Sequence, residues 1–132
     1  MNITRDCYKE FGKIEDDVET LMCVVELLDG RNVAPNTSLD FLQTRIDSFI
    51  QSTPKAFLKI VKDETLPTKV LIRRSINAGN IIKRGDYLYL KSDGKPLCGD
   101  KEEPVLSVAV KFLNNPKNQD IKLGLEALLN KK

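Results

Sequence analysis

The fold class this sequence predicts is α+β, and three observations carry that reading. Apolar residues recur at helical spacing through most of the chain, for example at 14, 18, 21, 22, 25 and 28. Between residues 80 and 98 the period switches to two, with Tyr87 and Tyr89 on one face and Leu88 and Leu90 on the other. A length of 132 residues, with 41% apolar and 30% charged residues, is the size and balance of one globular domain. The expectation is a single domain over residues 1–132, with about six short helices around a small antiparallel meander.

Residues 1–37 are expected to hold an N-terminal helix and a loop. The helix runs over 14–28 and stops at Asp29-Gly30, where Gly30 suits a left-handed cap. The β-branched Val24 and Val25 leave a strand over 21–28 as the alternative, and the turn-rich residues 31–37 read as the loop. Helices fill residues 38–79. Ser38 caps one that carries Leu39, Leu42, Ile46, Phe49 and Ile50 on one face. Thr53 and Pro54 open a short one that buries Phe57, Leu58 and Val61. Leu66, Pro67 and Thr68 open a third, with Val70, Leu71 and Ile76 inward and Gly79 at its end.

The meander occupies residues 80–98. It turns at Arg84-Gly85 and again at Ser92-Asp93-Gly94, with Gly94 at positive φ and residues 95–98 as its third strand. Residues 104–130 hold two helices. Pro104 opens the first, which ends at Leu113, and residues 117–129 form the second on a stripe of Ile121, Leu125, Leu128 and Leu129. The expected core includes Ile14, Val18, Phe49, Phe57, Leu71, Leu106, Leu113 and Leu128.

Enzyme chemistry is poorly served. With no His, the commonest general base is missing and no Ser-His or Cys-His pair can form. Neither a GxxxxGKS/T nor a GxGxxG element is present to cradle phosphate. The paired carboxylates Asp16-Asp17 and Glu102-Glu103 read as helix-start charges, the second pair at the positive end of the helix opened by Pro104. Cys98, followed by Gly99-Asp100, is the one conceivable nucleophile and lacks a base. Cys7, Cys23 and Cys98 are odd in number and scattered, so they read as reduced, small apolar side chains rather than disulfide partners or zinc ligands. The expectation is no enzyme, no catalytic, cofactor-binding or metal-ligating residue, and no small-molecule substrate. The start MNITRDCYKEF is polar, and no apolar run approaches the roughly 18–20 residues that cross a bilayer. A protein neither secreted nor in a membrane is therefore expected.

Charge is unevenly spread. Residues 1–66 have a net charge of −4, residues 67–96 of +5 and residues 97–132 of +1. A helix followed at once by a basic hairpin is the ground plan of a winged helix, so the middle of the chain is winged-helix-like. The candidate partner-binding face comprises Arg73, Arg74, Lys83, Arg84, Tyr87, Tyr89, Lys91 and Lys95. The Tyr rings would stack on bases if the partner were nucleic acid, or anchor an interface if it were protein. A net of +5 over thirty residues is modest for a DNA-binding domain. The plainer reading is solubilising charge on an exposed hairpin.

Residues 54–129 also carry a resemblance. A helix ending in Ala78-Gly79 is followed by the Tyr-bearing hairpin and by a helix ending in Phe112-Leu113-Asn114, and Pro116-Lys117-Asn118-Gln119 then begins the last helix. Over this span the chain resembles small uncharacterised proteins of tailed bacteriophages, particularly the crAss-like phages of gut Bacteroidetes. The resemblance implies a phage origin and a virion component, found in the bacterial cytoplasm during infection or in the particle. It carries over no catalytic or binding residue. The leading expectation is a non-enzymatic virion or assembly protein that contacts other phage structural proteins or itself. The alternatives are a winged-helix-like nucleic-acid binder in phage transcription or packaging, and a phage-encoded inhibitor of a host protein.

Overall fold

The computed structural model describes residues 3–34 and 36–130. Of the loop expected at 31–37, Pro35 lies outside the described residues. Among them are seven α-helices and a two-stranded antiparallel sheet, an α+β chain as the periodicity predicts. Its internal contacts divide it into two compact units, Met1–Leu66 and Pro67–Lys132, where the sequence reading expects one domain. The boundary falls where the charge changes sign, since residues 1–66 carry −4 and residues 67–132 carry +6.

The first unit holds four helices: α1 (Ile3–Ile14), α2 (Val18–Asp29), α3 (Leu39–Ser52) and α4 (Pro54–Val61). The helix expected over residues 14–28 is α2, which starts only at Val18, and a further helix not expected from the sequence, α1, precedes it, parted from it at residues 15–17. The apolar period runs straight through the break, but Asp17 stops the helix. Its Oδ1 accepts from Thr20 N–H at 3.2 Å and its Oδ2 from the Thr20 hydroxyl at 2.7 Å, capping α2. Asp17→Ala should cost about 1 kcal/mol in urea denaturation. Gly30, at φ +71°, closes α2 in the left-handed conformation expected of it.

In this unit α2 packs against α3 and α4, and α1 packs against α4 and α3. Residues 20–25 of α2 are all buried, and Cys7, Leu42, Ile46, Ile50 and Phe57 are fully buried with them. Not every residue expected in the core is fully covered, and Leu58 and Val61 of α4 are only half-buried. Ile14 is half-buried, Val18 is 37% exposed, and Phe49 is half-buried with the Arg45 guanidinium 4.5 Å above its ring. Arg45 is held there by Asp29, at 2.7 Å.

The second unit holds α5 (Leu66–Asn77, which opens on the boundary), β1 (Ile81–Arg84), β2 (Tyr87–Leu90), α6 (Leu106–Asn114), a 3-10 turn (Pro116–Asn118) and α7 (Gln119–Asn130). α5 turns Thr68, Leu71, Ile72 and Ser75 inward, the i, i+3, i+4, i+7 pattern of one helical face. Leu71 and Ile72 join Ile81, Leu88, Leu90, Leu97, Ala109, Val110, Leu113 and Leu125 in one core. Ser75 is fully buried, and its hydroxyl has no hydrogen-bond partner among the described residues. Ser75→Ala should therefore be neutral or raise stability by up to about 1 kcal/mol in thermal or urea melts.

The hairpin pairs Ile81 with Leu90 and Arg84 with Tyr87 across a two-residue loop, Gly85-Asp86. Gly85 takes φ +62° and Asp86 is not among the positive-φ residues, the pattern of a type II′ turn. The expected third strand at residues 95–98 is reduced to a single bridge between Tyr89 and Pro96. Pro96 has no N–H, so the ladder cannot continue through it. Irregular bonds cover that edge instead: Leu90 N–H to Lys95 O at 2.9 Å, Leu97 N–H to Leu88 O at 3.0 Å, and Leu88 N–H to Pro104 O at 2.8 Å. Gly94 has φ +72°, the positive value expected at the second turn. Pro104 does not open a helix; α6 begins at Leu106, after Val105. Leu106 and Leu128, both expected in the core, are 43% and 49% exposed.

Candidate functional site

The eight basic and aromatic residues singled out from the sequence do not form one face. Residues opposite one another in an antiparallel ladder share a face, so the register sets Arg84, Tyr87 and Tyr89 with Ile82 on the side away from the buried Ile81, Leu88 and Leu90. Lys83 belongs to the other face, beside the core, and stays exposed only because it lies near the tip. Lys91 and Lys95 flank the second turn, at the opposite end of the ladder from Arg84. Arg73 and Arg74 lie on α5, the first half-buried and the second exposed.

The two Tyr rings on the hairpin are already engaged. Tyr87 donates its phenolic O–H to the Glu103 carboxylate, and that bond pushes its pKa up. The Arg84 guanidinium stands 5.9 Å from the centre of the Tyr89 ring. Three of the four paired carboxylates hold local structure: Asp17 caps α2, Glu102 accepts from Gly99 N–H at 2.9 Å, and Glu103 holds Tyr87. No group of three or more Cys, Asp or Glu side chains is placed to hold a metal ion among the described residues.

What sequence reasoning missed is a cleft in the second unit, with a volume of about 870 Å³. One wall is the chain around the second turn, residues 90–100. Gly94 N–H to Leu90 O at 2.8 Å, and Lys95 N–H to the Asp93 side chain at 3.0 Å, hold the turn. Beyond it, the Cys98 thiol bonds Glu102 O at 3.2 Å, and Glu102 reaches back to Gly99. The other wall is α7, which presents Asp120, Ile121, Gly124, Leu125 and Leu128, and Phe112 of α6 also lines the space.

A set of amide bonds fixes α7 relative to α6. Gln119 Nε2 donates to Leu113 O at 3.1 Å and to Asn115 O at 2.9 Å, and Asn118 Nδ2 donates to Phe112 O at 2.8 Å. The floor is apolar, formed by Leu90, Phe112, Ile121, Leu125 and Leu128, and Pro96 lines it too. The polar side chains Ser92, Asp93, Lys95, Asp100 and Asp120 are all exposed, so they form a rim.

No family model, curated protein or solved structure matches this chain. The site therefore stands on its own geometry. Likewise, the winged-helix likeness rests only on the order of α5 and the hairpin.

Two signals of the cleft were present in the sequence. One is Gly124 in the middle of an apolar helical stripe, where glycine weakens a helix for no backbone reason. The other is the cysteine that the cleft wall leaves accessible. Cys7 and Cys23 are buried, whereas Cys98 is half-buried and lines the cleft. Its thiol is pushed up by burial, and further by the negative charges of Glu102 and Asp100. The thiolate is the reactive form. Labelling of Cys98 by a disulfide reagent should thus be slow at pH 7 and rise about tenfold per pH unit to above the ordinary thiol range. Asp100→Asn should speed labelling at pH 8. A plateau at or below neutral pH in stopped-flow measurements would contradict this.

Proposed function

We propose that this chain is a non-enzymatic protein-binding module whose contact site is the cleft between residues 90–100 and α7. The observation that carries the reading is an open apolar floor ringed by exposed polar side chains. Small-molecule sites converge a few buried polar groups on their ligand. Here the polar side chains sit at the margin, the arrangement of grooves that receive a helix or segment of another protein. Exposed Leu128 in an otherwise inward stripe agrees with a surface completed by a partner. The resemblance to small proteins of tailed phages supports placing that partner among virion or assembly proteins.

The test is site-specific photocrosslinking with benzoylphenylalanine, in the cells where the protein is made. A probe at Ser92, on the cleft rim, should give a discrete protein adduct, and one at Arg84, on the outward face of the hairpin, should not. Adducts from Arg84 alone would contradict the proposal.

A nucleic-acid reading retains one supporting observation, the thirteen basic against seven acidic residues of residues 67–132. Its test is a gel shift near physiological salt. Micromolar or tighter binding to duplex DNA, lost in the Arg84→Glu, Lys91→Glu double variant, would overturn the protein-binding proposal.

A further inference from the structure

We infer that the occupant of the cleft is an amphipathic segment of a partner protein, apolar where it meets the floor and basic at its margins. The inference rests on the protein-binding reading above and specifies its partner.

Charge carries it first. The second unit is basic, with thirteen Lys and Arg against seven Asp and Glu. The cleft reverses that sign: its lining holds Asp93, Asp100 and Asp120 and a single basic residue, Lys95. Asp93 also accepts the Lys95 N–H, which keeps its carboxylate at the turn on the rim. Exposed ion pairs are individually weak, so the rim would select between occupants while the apolar floor supplies the affinity. A partner with Lys or Arg beside its apolar stripe meets this rim, and one with Asp or Glu is repelled by it.

Shape carries it second. Gly124 lies inside α7, and nothing stands within 4 Å of where its side chain would begin. No neighbouring atom requires a glycine there, and its cost to the helix is uncompensated within the unit. Its effect is a patch of bare helix beside Ile121, Leu125 and Leu128, where an apolar side chain of the partner can approach the α7 backbone. Gly12 of α1 has the same open surroundings but does not line the cleft, so it serves as the control.

The experiment is fluorescence anisotropy on the full chain, with two labelled synthetic helical peptides of about 16 residues. Both carry the same Leu face, one with Lys and the other with Glu on its polar side. The Leu/Lys peptide should bind at least tenfold tighter than the Leu/Glu peptide. Asp100→Asn with Asp120→Asn should remove most of that preference. Gly124→Leu should weaken Leu/Lys binding at least tenfold without lowering the melting temperature, and Gly12→Ala should leave binding unchanged.

Equal or stronger binding of the Leu/Glu peptide, still lost in Gly124→Leu, would overturn the charge inference and leave the cleft reading standing. Binding of neither peptide, or indifference to Gly124→Leu, would overturn both. Self-association in sedimentation that Gly124→Leu abolishes would put a second copy in the cleft and overturn the inference.

Discussion

Phe57→Ala should destabilise the protein by about 3–5 kcal/mol, the largest loss expected from a single truncation in the first unit. Phe57 is fully buried and is the largest such side chain among the described residues. It is carried by α4, a helix of only eight residues that packs against α1, α2 and α3. A helix this short is marginal by itself, so its position depends on what its aromatic anchor fills. Truncation removes both the transfer free energy of the ring and the contacts of the atoms around it. Urea denaturation followed by circular dichroism measures the loss. A value below about 1 kcal/mol would mean that α4 does not hold the first unit together.

Leu97→Ala should cost about 2–5 kcal/mol in the same measurement. Leu97 lies outside any helix or strand, yet it is 0% exposed and belongs to the core of the second unit. Its N–H bonds Leu88 O at 3.0 Å, pinning the segment to the free edge of β2. That segment is also a wall of the cleft, so the variant should lose partner binding along with stability. The neighbouring Pro96 is exposed, and Pro96→Ala should change stability by less than about 1 kcal/mol. Equal effects at the two positions would show that the segment is not anchored through Leu97.

Where a single residue chemistry decides the backbone, the sequence shows it. Gly30 and Gly94 adopt positive φ, Ser38 caps α3 through Phe41 N–H, and Pro54 starts α4. Where the outcome depends on which neighbour covers a face, it does not. Helical spacing places Leu106, Leu125 and Leu128 on stripes, but only Leu125 is buried. The spacing is identical whether another element lies over the stripe or solvent does. The break between α1 and α2 is hidden for a related reason: apolar residues at 14, 18 and 21 keep the helical period while Asp17 interrupts the helix.

Charge summed along the chain does not show which residues share a face. Residues 67–96 are basic as a block, but the pleat sends Lys83 and Arg84 to opposite faces. The carboxylates that line the cleft come from the second turn, from Asp100 and from α7, stretches widely separated in sequence. Only tertiary structure brings them together. Gly124 was a local sign beside Cys98, and it reads as an unexplained weakness of a helix until the cleft is seen beside it.

The most direct test of the central claim, that the cleft of the second unit is the binding site, is a map of amide chemical shifts as the Leu/Lys peptide is titrated into isotope-labelled protein. The largest changes should fall on residues 90–100, Phe112 and residues 120–128, with Arg84 to Tyr89 and residues 3–66 nearly unmoved. Shifts centred on the outward face of the hairpin, or spread over the first unit, would contradict it.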